Sequence, residues 1–257
     1  MNPSCERVVV FGATSAIAAE VAGVLAARGA RLFLVGRDAG KLTAVARRCG
    51  TAVVGTRVAD LIDLAAAPGL VDEAARVLGV GSGLPDGFDL AVIAQGWLGD
   101  QLESERDGAH ARAVLETNLL SAVALLVPIA NRLEAQGSGH VVVLSSVAGQ
   151  RGRPRNYTYG AAKAGLTVYL QGLRTRLFPR GVRVSTILLG PVDTPMTAGH
   201  RKHILFGRSD RVAAEILRAV DRGGGEVFVP WFWRYIMAGV QATPESVVQR
   251  LPFLSGR

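Results

Sequence analysis

The chain has 257 residues, 49% hydrophobic and 19% charged, enough apolar side chain to fill one large α/β domain and too little charge for a disordered one. Its formal charge of +8 comes mostly from arginine, since Lys41, Lys163 and Lys202 are the only lysines; the arginines are scattered rather than packed into a run, which argues against nucleic acid as a partner. Two cysteines, Cys5 and Cys49, and four histidines, His110, His140, His200 and His203, show no metal-ligand spacing and no disulfide framework, as in a reduced, metal-free cytoplasmic protein.

No charged region followed by an apolar stretch precedes Arg7, so no signal peptide is expected, and no segment reads as a membrane span. Residues 8–11 are a short run of β-favouring apolar side chains, followed by Gly12 and an Ala-rich segment at 16–28 that ends before Gly29. This predicts strand, tight turn, helix. The alternation continues with strand 31–35, helix 39–48, strand 52–58 and a helix ending near Leu78. A Gly/Pro-rich loop at 79–87 leads to strand 90–93, then helix 115–135, strand 141–144, helix 157–177 and strand 182–188. Helix 209–221 and a short strand at 226–229 precede an aromatic tail from Trp231. Strands separated by helices imply right-handed crossovers and a parallel sheet covered on both faces. The expected fold is a doubly wound α/β sheet of the Rossmann type, a single domain over 1–257 with an aromatic helical tail at 231–257.

In such a sheet the first strand-to-helix turn commonly receives a pyrophosphate, because backbone N–H groups and the helix N-terminus favour negative charge. Here it runs Gly12, Ala13, Thr14, Ser15, Ala16, Ile17, Ala18, with alanines in place of the second and third glycines of a full phosphate motif. Alone it suits a nucleotide site and an ordinary βα turn equally. The second strand ends Val35, Gly36, Arg37, Asp38. An acid at the strand end would take a ribose diol, whereas an arginine just past it suits a 2′-phosphate through charge-assisted contacts. Arg37 therefore points to NADP(H), the alternative being a solvated arginine that opens a helix. Asp60 could meet the adenine edge or cap the next helix.

Further on stand Ala94-Gln95-Gly96, Asn118, Ser145-Ser146-Val147-Ala148-Gly149, Tyr159-Gly160-Ala161-Ala162-Lys163 and Gly190-Pro191-Val192-Asp193-Thr194. With Gly12 and Asp60, their order and spacing resemble the short-chain dehydrogenase/reductase family over nearly the whole chain. The resemblance implies a catalytic set of Asn118, Ser146, Tyr159 and Lys163. In that family the serine stands thirteen positions before the tyrosine, which selects Ser146 over Ser145. It also implies a cofactor shell of Gly12, Thr14, Ser15, Ile17, Arg37, Asp60, Ala94, Gly96, Tyr159, Lys163, Gly190, Val192 and Thr194, and association as a dimer or tetramer through helices 115–135 and 157–177. The chain departs from the family at Ala94-Gln95-Gly96, where Asn-Ala-Gly is usual, at Leu189, where a Pro usually precedes Gly190, and at Ala16 and Ala18. A narrower likeness, to decaprenylphosphoryl-2-keto-ribose reductases, rests on Gly12-Ala13-Thr14-Ser15, Gly96-Trp97-Leu98-Gly99-Asp100 and the tail from Val229 to Met237.

Reducing a ketone needs a hydride donor on one face of the carbonyl and a proton donor at its oxygen. Tyr159 and Lys163, at i and i+4, share a helix face, and a nearby cation is expected to lower a phenol pKa from about 10. Tyr157 is the competing phenol, but Ala161 stands four residues after it. Ser146 would bond the substrate oxygen, and Asn118 would hold a water that links Lys163 to solvent. The stretch 196–206, with His200, Arg201, Lys202 and His203, takes the place of the family's substrate loop, and its cations suit an anionic substrate or simply a solvated face. Trp231, Phe232, Trp233, Tyr235, Ile236 and Met237 could lie at a membrane interface, as for an enzyme held peripherally at the inner membrane face, or form a core-packing helix or a subunit contact. The expected activity is NADPH-dependent ketone reduction on a small-molecule or lipid-linked keto-sugar. A reductase of small ketones, steroids or 3-oxoacyl thioesters, and an NADP-binding sensor or scaffold, are the alternatives.

Overall fold

Apolar runs that tolerate burial on both faces assemble into one parallel sheet. The structure, a computed structural model, describes residues 6–199, 202 and 205–250. Its strands are β1 (Arg7–Phe11), β2 (Arg31–Gly36), β3 (Val53–Val58), β4 (Leu90–Ile93), β5 (Gly139–Ser146), β6 (Val182–Leu189), the two-residue pair β7 (Val192–Asp193) and β8 (Gly207–Arg208), and β9 (Gly225–Val229). The helices are α1 (Ala16–Ala27), α2 (Ala39–Cys49), α3 (Ala67–Gly79), α4 (Gln101–Arg106), α5 (Gly108–Leu115), α6 (Ser121–Gln136), α7 (Tyr157–Leu177), α8 (Ser209–Asp221), α9 (Trp233–Ala242) and α10 (Glu245–Arg250). The main sheet has the order β3-β2-β1-β4-β5-β6-β9, and β7 pairs with β8 apart from it.

Side chains alternate between two apolar layers. Val9, Phe11, Phe33 and Ile93 meet α3, α6 and α7 on one face, through Leu78, Leu126 and Leu170. Val8, Val10, Leu34 and Val92 meet α1, α2 and α8 on the other, through Leu25, Leu42 and Ile216. The strand order reverses between β1 and β4, so the loops after those strands diverge and leave a crevice at the carboxyl ends.

The doubly wound fold is as expected; several elements are longer or additional. β5 reaches from Gly139 to Ser146 rather than 141–144, because its polar ends are satisfied internally: His140 Nε2 lies 2.8 Å from Ser185 Oγ, and Ser145 Oγ lies 2.9 Å from Thr167 Oγ1. The helix expected at 115–135 starts earlier, as α5, and passes through a π turn, Glu116–Leu120, into α6. Contrary to expectation, one helical run, Gly108–Gln136, is long and apolar enough to cross a membrane by length and composition. Leu125, Leu126, Ile129 and Leu133 from that run are buried in the first core layer, as in a core helix of a globular protein.

Candidate active site

The floor of the crevice is set by glycine. Gly12 follows β1 with φ of +74°, and a Cβ there would come within 2.9 Å of the Ala94 carbonyl carbon, so β4 can lie against this turn only if residue 12 lacks a side chain. Ser15 caps α1 by accepting a hydrogen bond from Ala18 N–H at 3.2 Å, and α1 has no acid in its first turn. The helix N-terminus therefore offers positive potential with no carboxylate to cancel it. Ala16 borders the crevice and Ala18 is buried in the second layer, so the two alanines are accommodated.

Across the turn, a Cβ at Gly36 would sit 2.9 Å from Thr14 Cγ2. Arg37 is exposed beside it, and Asp38 caps α2 by accepting from Lys41 N–H at 2.9 Å. Arg37 and Lys41, four residues apart, both border the crevice. Lys41 escaped the sequence reasoning, although its rarity and its spacing from Arg37 were the available signal. Asp60 borders the crevice as well. It bonds the Ile62 N–H of its own turn at 3.2 Å and does not cap α3, which starts at Ala67.

The crevice encloses about 470 Å³, within the range of small-ligand sites. Of the expected residues it brings together Gly12, Thr14, Ser15, Ile17, Arg37, Asp60, Ala94, Gly96, Tyr159, Lys163 and Thr194. Asn118, Ser146, Gly190 and Val192 are not on its wall. Val192 is buried in the core, and Gly190 lies against the indole of Trp233. Gln95, absent from the expected set, is on the wall; its Nε2 donates to Ser121 Oγ at 3.3 Å.

Asn118 sits behind the wall at the π turn. That wider turn leaves the Val114 carbonyl to accept from Asn118 Nδ2 at 2.8 Å, and the same amide exchanges bonds with the main chain of Trp97, donating to its carbonyl at 2.6 Å and accepting from its N–H at 3.1 Å. The loop after β4 is thereby fixed to the π turn between α5 and α6. A Cβ at Gly96 would lie 3.0 Å from Asn118 Oδ1 and 3.6 Å from Lys163 Nζ, so glycine keeps these groups close.

Lys163 is buried. Its Nζ donates to the Leu144 carbonyl at 3.1 Å and stands 5.6 Å from the Tyr159 ring centroid. Burial pushes its ammonium down to about 8. Burial also pushes the Tyr159 phenol up to about 12, opposed by a hydrogen bond with Ser146. The expectation of a lowered phenol is thus reversed: desolvation of a phenolate outweighs the help from Ser146, and Tyr159 is a neutral phenol at ordinary pH. Ser146 also lies within 3.3 Å of the Leu189 carbonyl. Ser145 borders the crevice, but its hydroxyl is committed to Thr167 and the Lys163 carbonyl, whereas Ser146 is the serine that acts on the Tyr159 phenol.

On the far side, α9 divides the aromatic tail. Trp233 and Met237 are buried with Val147 and Leu188, while Trp231 and Tyr235 are exposed. The core-packing alternative thus describes the first pair. Of the basic loop, Lys202 pairs with Asp193 at 2.6 Å, and His200, Arg201 and His203 lie outside the described residues, as does the end of the tail from 251. Gln101 was also missed: its Oε1 accepts from Thr158 N–H at 3.0 Å, tying α4 to the start of α7.

The family profile described as short chain dehydrogenase matches residues 6–205. An uncharacterised oxidoreductase of Mycobacterium tuberculosis is 40% identical over 248 residues, covering 95% of this chain and 96% of the relative. Another uncharacterised oxidoreductase, from Streptomyces coelicolor, is 35% identical over 95% of this chain and 94% of its own. Among solved structures, a short chain dehydrogenase from Burkholderia cenocepacia in complex with NADP superposes with a TM-score of 0.81 at 23% identity, covering 98% of this chain and 99% of that one.

Proposed function

The chain belongs to the short-chain dehydrogenase/reductase family, and from that premise we propose that it reduces a ketone to a secondary alcohol with NADPH, Tyr159 giving the proton. The observation that carries this is the arrangement on the crevice wall: the Tyr159 phenol stands beside the buried Lys163, whose ammonium is 5.6 Å from its ring, and Ser146 acts on the same phenol. A nucleotide-binding scaffold has no need of such a set.

The residues fit the cofactor. The acid-free N-terminus of α1 with Thr14 and Ser15 suits a pyrophosphate, and Arg37 with Lys41 suits a 2′-phosphate. A solved neighbour was crystallised with NADP. When bound, NADPH supplies the hydride.

The remaining work falls to the side chains. Ser146 donates a hydrogen bond to the carbonyl oxygen and orients it toward Tyr159. The phenol, protonated at neutral pH, would give that oxygen the proton that completes the alcohol. Lys163, charged below about pH 8, offsets the phenolate left behind. Asn118 acts as a positioning residue through the Trp97 main chain.

Within ketones we infer a polar, keto-sugar-like substrate, supported by the polar Gln95 and Thr194 on the crevice wall that carries Tyr159. A lipid linkage has only the sequence likeness behind it. The experiment is a panel of keto-sugars, cyclic ketones and 3-oxoacyl thioesters followed by NADPH absorbance. Consumption with a keto-sugar is expected; consumption only with thioesters overturns the substrate inference, and NADPH binding without any consumption overturns the reaction.

A further inference from the structure

Five side-chain atoms are buried without a hydrogen-bond partner among the described residues: Gln95 Oε1, Gln101 Nε2, Arg132 Nε, Arg153 Nε and Trp233 Nε1. Each unmet group is costly, so their positions are informative. All but Arg132 stand around the carboxyl ends of β4, β5 and β6. Gln95 follows β4 on the crevice wall. Gln101 holds the first turn of α7 by its oxygen, which leaves its amide nitrogen unmet. Arg153 lies in the loop that joins Ser146 to Tyr159, and the Trp233 indole nitrogen lies against Gly190 in the loop after β6.

Three of these four atoms are donors, and one carries a charge. Arg153 has no ion pair among the described residues. Its Nη2 meets only the weak acceptor Met237 Sδ, at 3.7 Å, and burial pulls its guanidinium below the usual arginine range. Met237 and Trp233 are one turn apart on α9 and share a cluster with Val147 and Leu188, so Arg153, through its contact with Met237, and the indole belong to the same side-chain group. Arg151, two residues earlier, is instead occupied in bonding the carbonyls of Val240 and Thr243 at 2.8 and 2.6 Å, which holds α9 in place. A partly desolvated cation and a buried N–H, both lacking acceptors, are complementary to an anionic oxygen group.

We propose that Arg153 and the indole N–H of Trp233 form a substrate subsite for an anionic phosphate or carboxylate group carried by the carbonyl compound. The proposal rests on the ketone-reductase reading for what happens at the carbonyl, but anion binding itself does not. A neutral ketone of the same shape leaves the guanidinium uncompensated, so selectivity arises from that cost as much as from the new contact.

The test is calorimetric titration of the NADP+-saturated protein with ribulose 5-phosphate against ribulose, and with 4-oxopentanoate against its methyl ester, to separate phosphate from carboxylate. At least one anionic probe should bind about tenfold or more tighter than its neutral partner, as for one charge-assisted bond. Arg153→Gln should remove that preference without changing the affinity of the neutral probe, and Arg153→Lys should restore part of it. Trp233→Phe, which keeps the packing ring and removes the donor, provides a second variant and should reduce the preference severalfold. Equal binding within both pairs, binding of neither pair, or a preference that survives Arg153→Gln and Trp233→Phe overturns the subsite. Anion-selective binding without reduction of any ketone overturns the reductase reading and leaves the subsite standing.

Discussion

At the scale of single residues, charge decides the cofactor. Arg37 is exposed on the crevice wall just past β2, while the acid that follows it, Asp38, is engaged with the Lys41 N–H in capping α2. Asp38 borders the crevice too, but its carboxylate is held by the Lys41 N–H and lies 3.9 Å from the Lys41 ammonium, so a 2′-phosphate would find Arg37 with Lys41 behind it. Arg37→Ala is expected to weaken NADPH binding by about 10- to 100-fold, the range for a charge-assisted contact, and to leave NADH binding nearly unchanged. Fluorescence titration with both cofactors checks this, and an equal loss for both would contradict the role of Arg37. Much of this was legible in the sequence, because an arginine after an apolar run that ends in glycine has a direct electrostatic meaning. Lys41 was not, since its distance from the crevice depends on how α2 starts.

At the scale of the element, α7 places Tyr159 and Lys163 one turn apart, and the sequence showed that spacing. It could not show the environment. Burial raises the phenol to about 12 and lowers the ammonium to about 8, the reverse of what a cation beside a phenol in water would do to the phenol. The proposed proton donor therefore keeps its proton throughout the working range, and the Lys163 ammonium beside it is the group that titrates. Ketone reduction should be flat near neutrality and fall as pH rises through about 8, where Lys163 loses its proton. Lys163→Met should be slow at every pH and lack that inflection. A pH–rate profile of both proteins is the measurement; an inflection only above pH 10 in the native enzyme would assign the titration to Tyr159 instead. The ends of β5 and the π turn at Asn118 were hidden for a related reason. Polar side chains at buried strand ends look like loop until their partners, such as Ser185 for His140, are known.

At the scale of the molecule, the alternation of apolar runs fixed the layer order, but the polar groups inside the layers set its pH limits. His140 is buried on β5 beside Ser185, and desolvation, with Arg183 contributing, pushes its imidazole down from 6.5 to about 4. The folded state keeps it neutral while the unfolded chain takes up a proton below pH 6.5. The unfolded state then binds more protons, so stability present above pH 6.5 is lost as pH falls to about 4. The linked loss is about 3 kcal/mol at most. His140→Gln is expected to flatten this part of the stability curve, as read from urea midpoints at pH 7, 5.5 and 4.5. An unchanged slope would place the acid sensitivity elsewhere.

The proton-transfer role of Tyr159 is tested most directly by the Tyr159→Phe enzyme with a ketone that the native protein reduces. Its ring is retained and only the hydroxyl is removed, so the packing of α7 and the crevice wall should persist. Turnover should fall by about 10³-fold or more, the upper part of the range for a general acid, while the NADPH dissociation constant stays within a factor of about three of the native value, well under 1.4 kcal/mol. Turnover near the native rate, with NADPH still bound, would show that another group protonates the carbonyl oxygen.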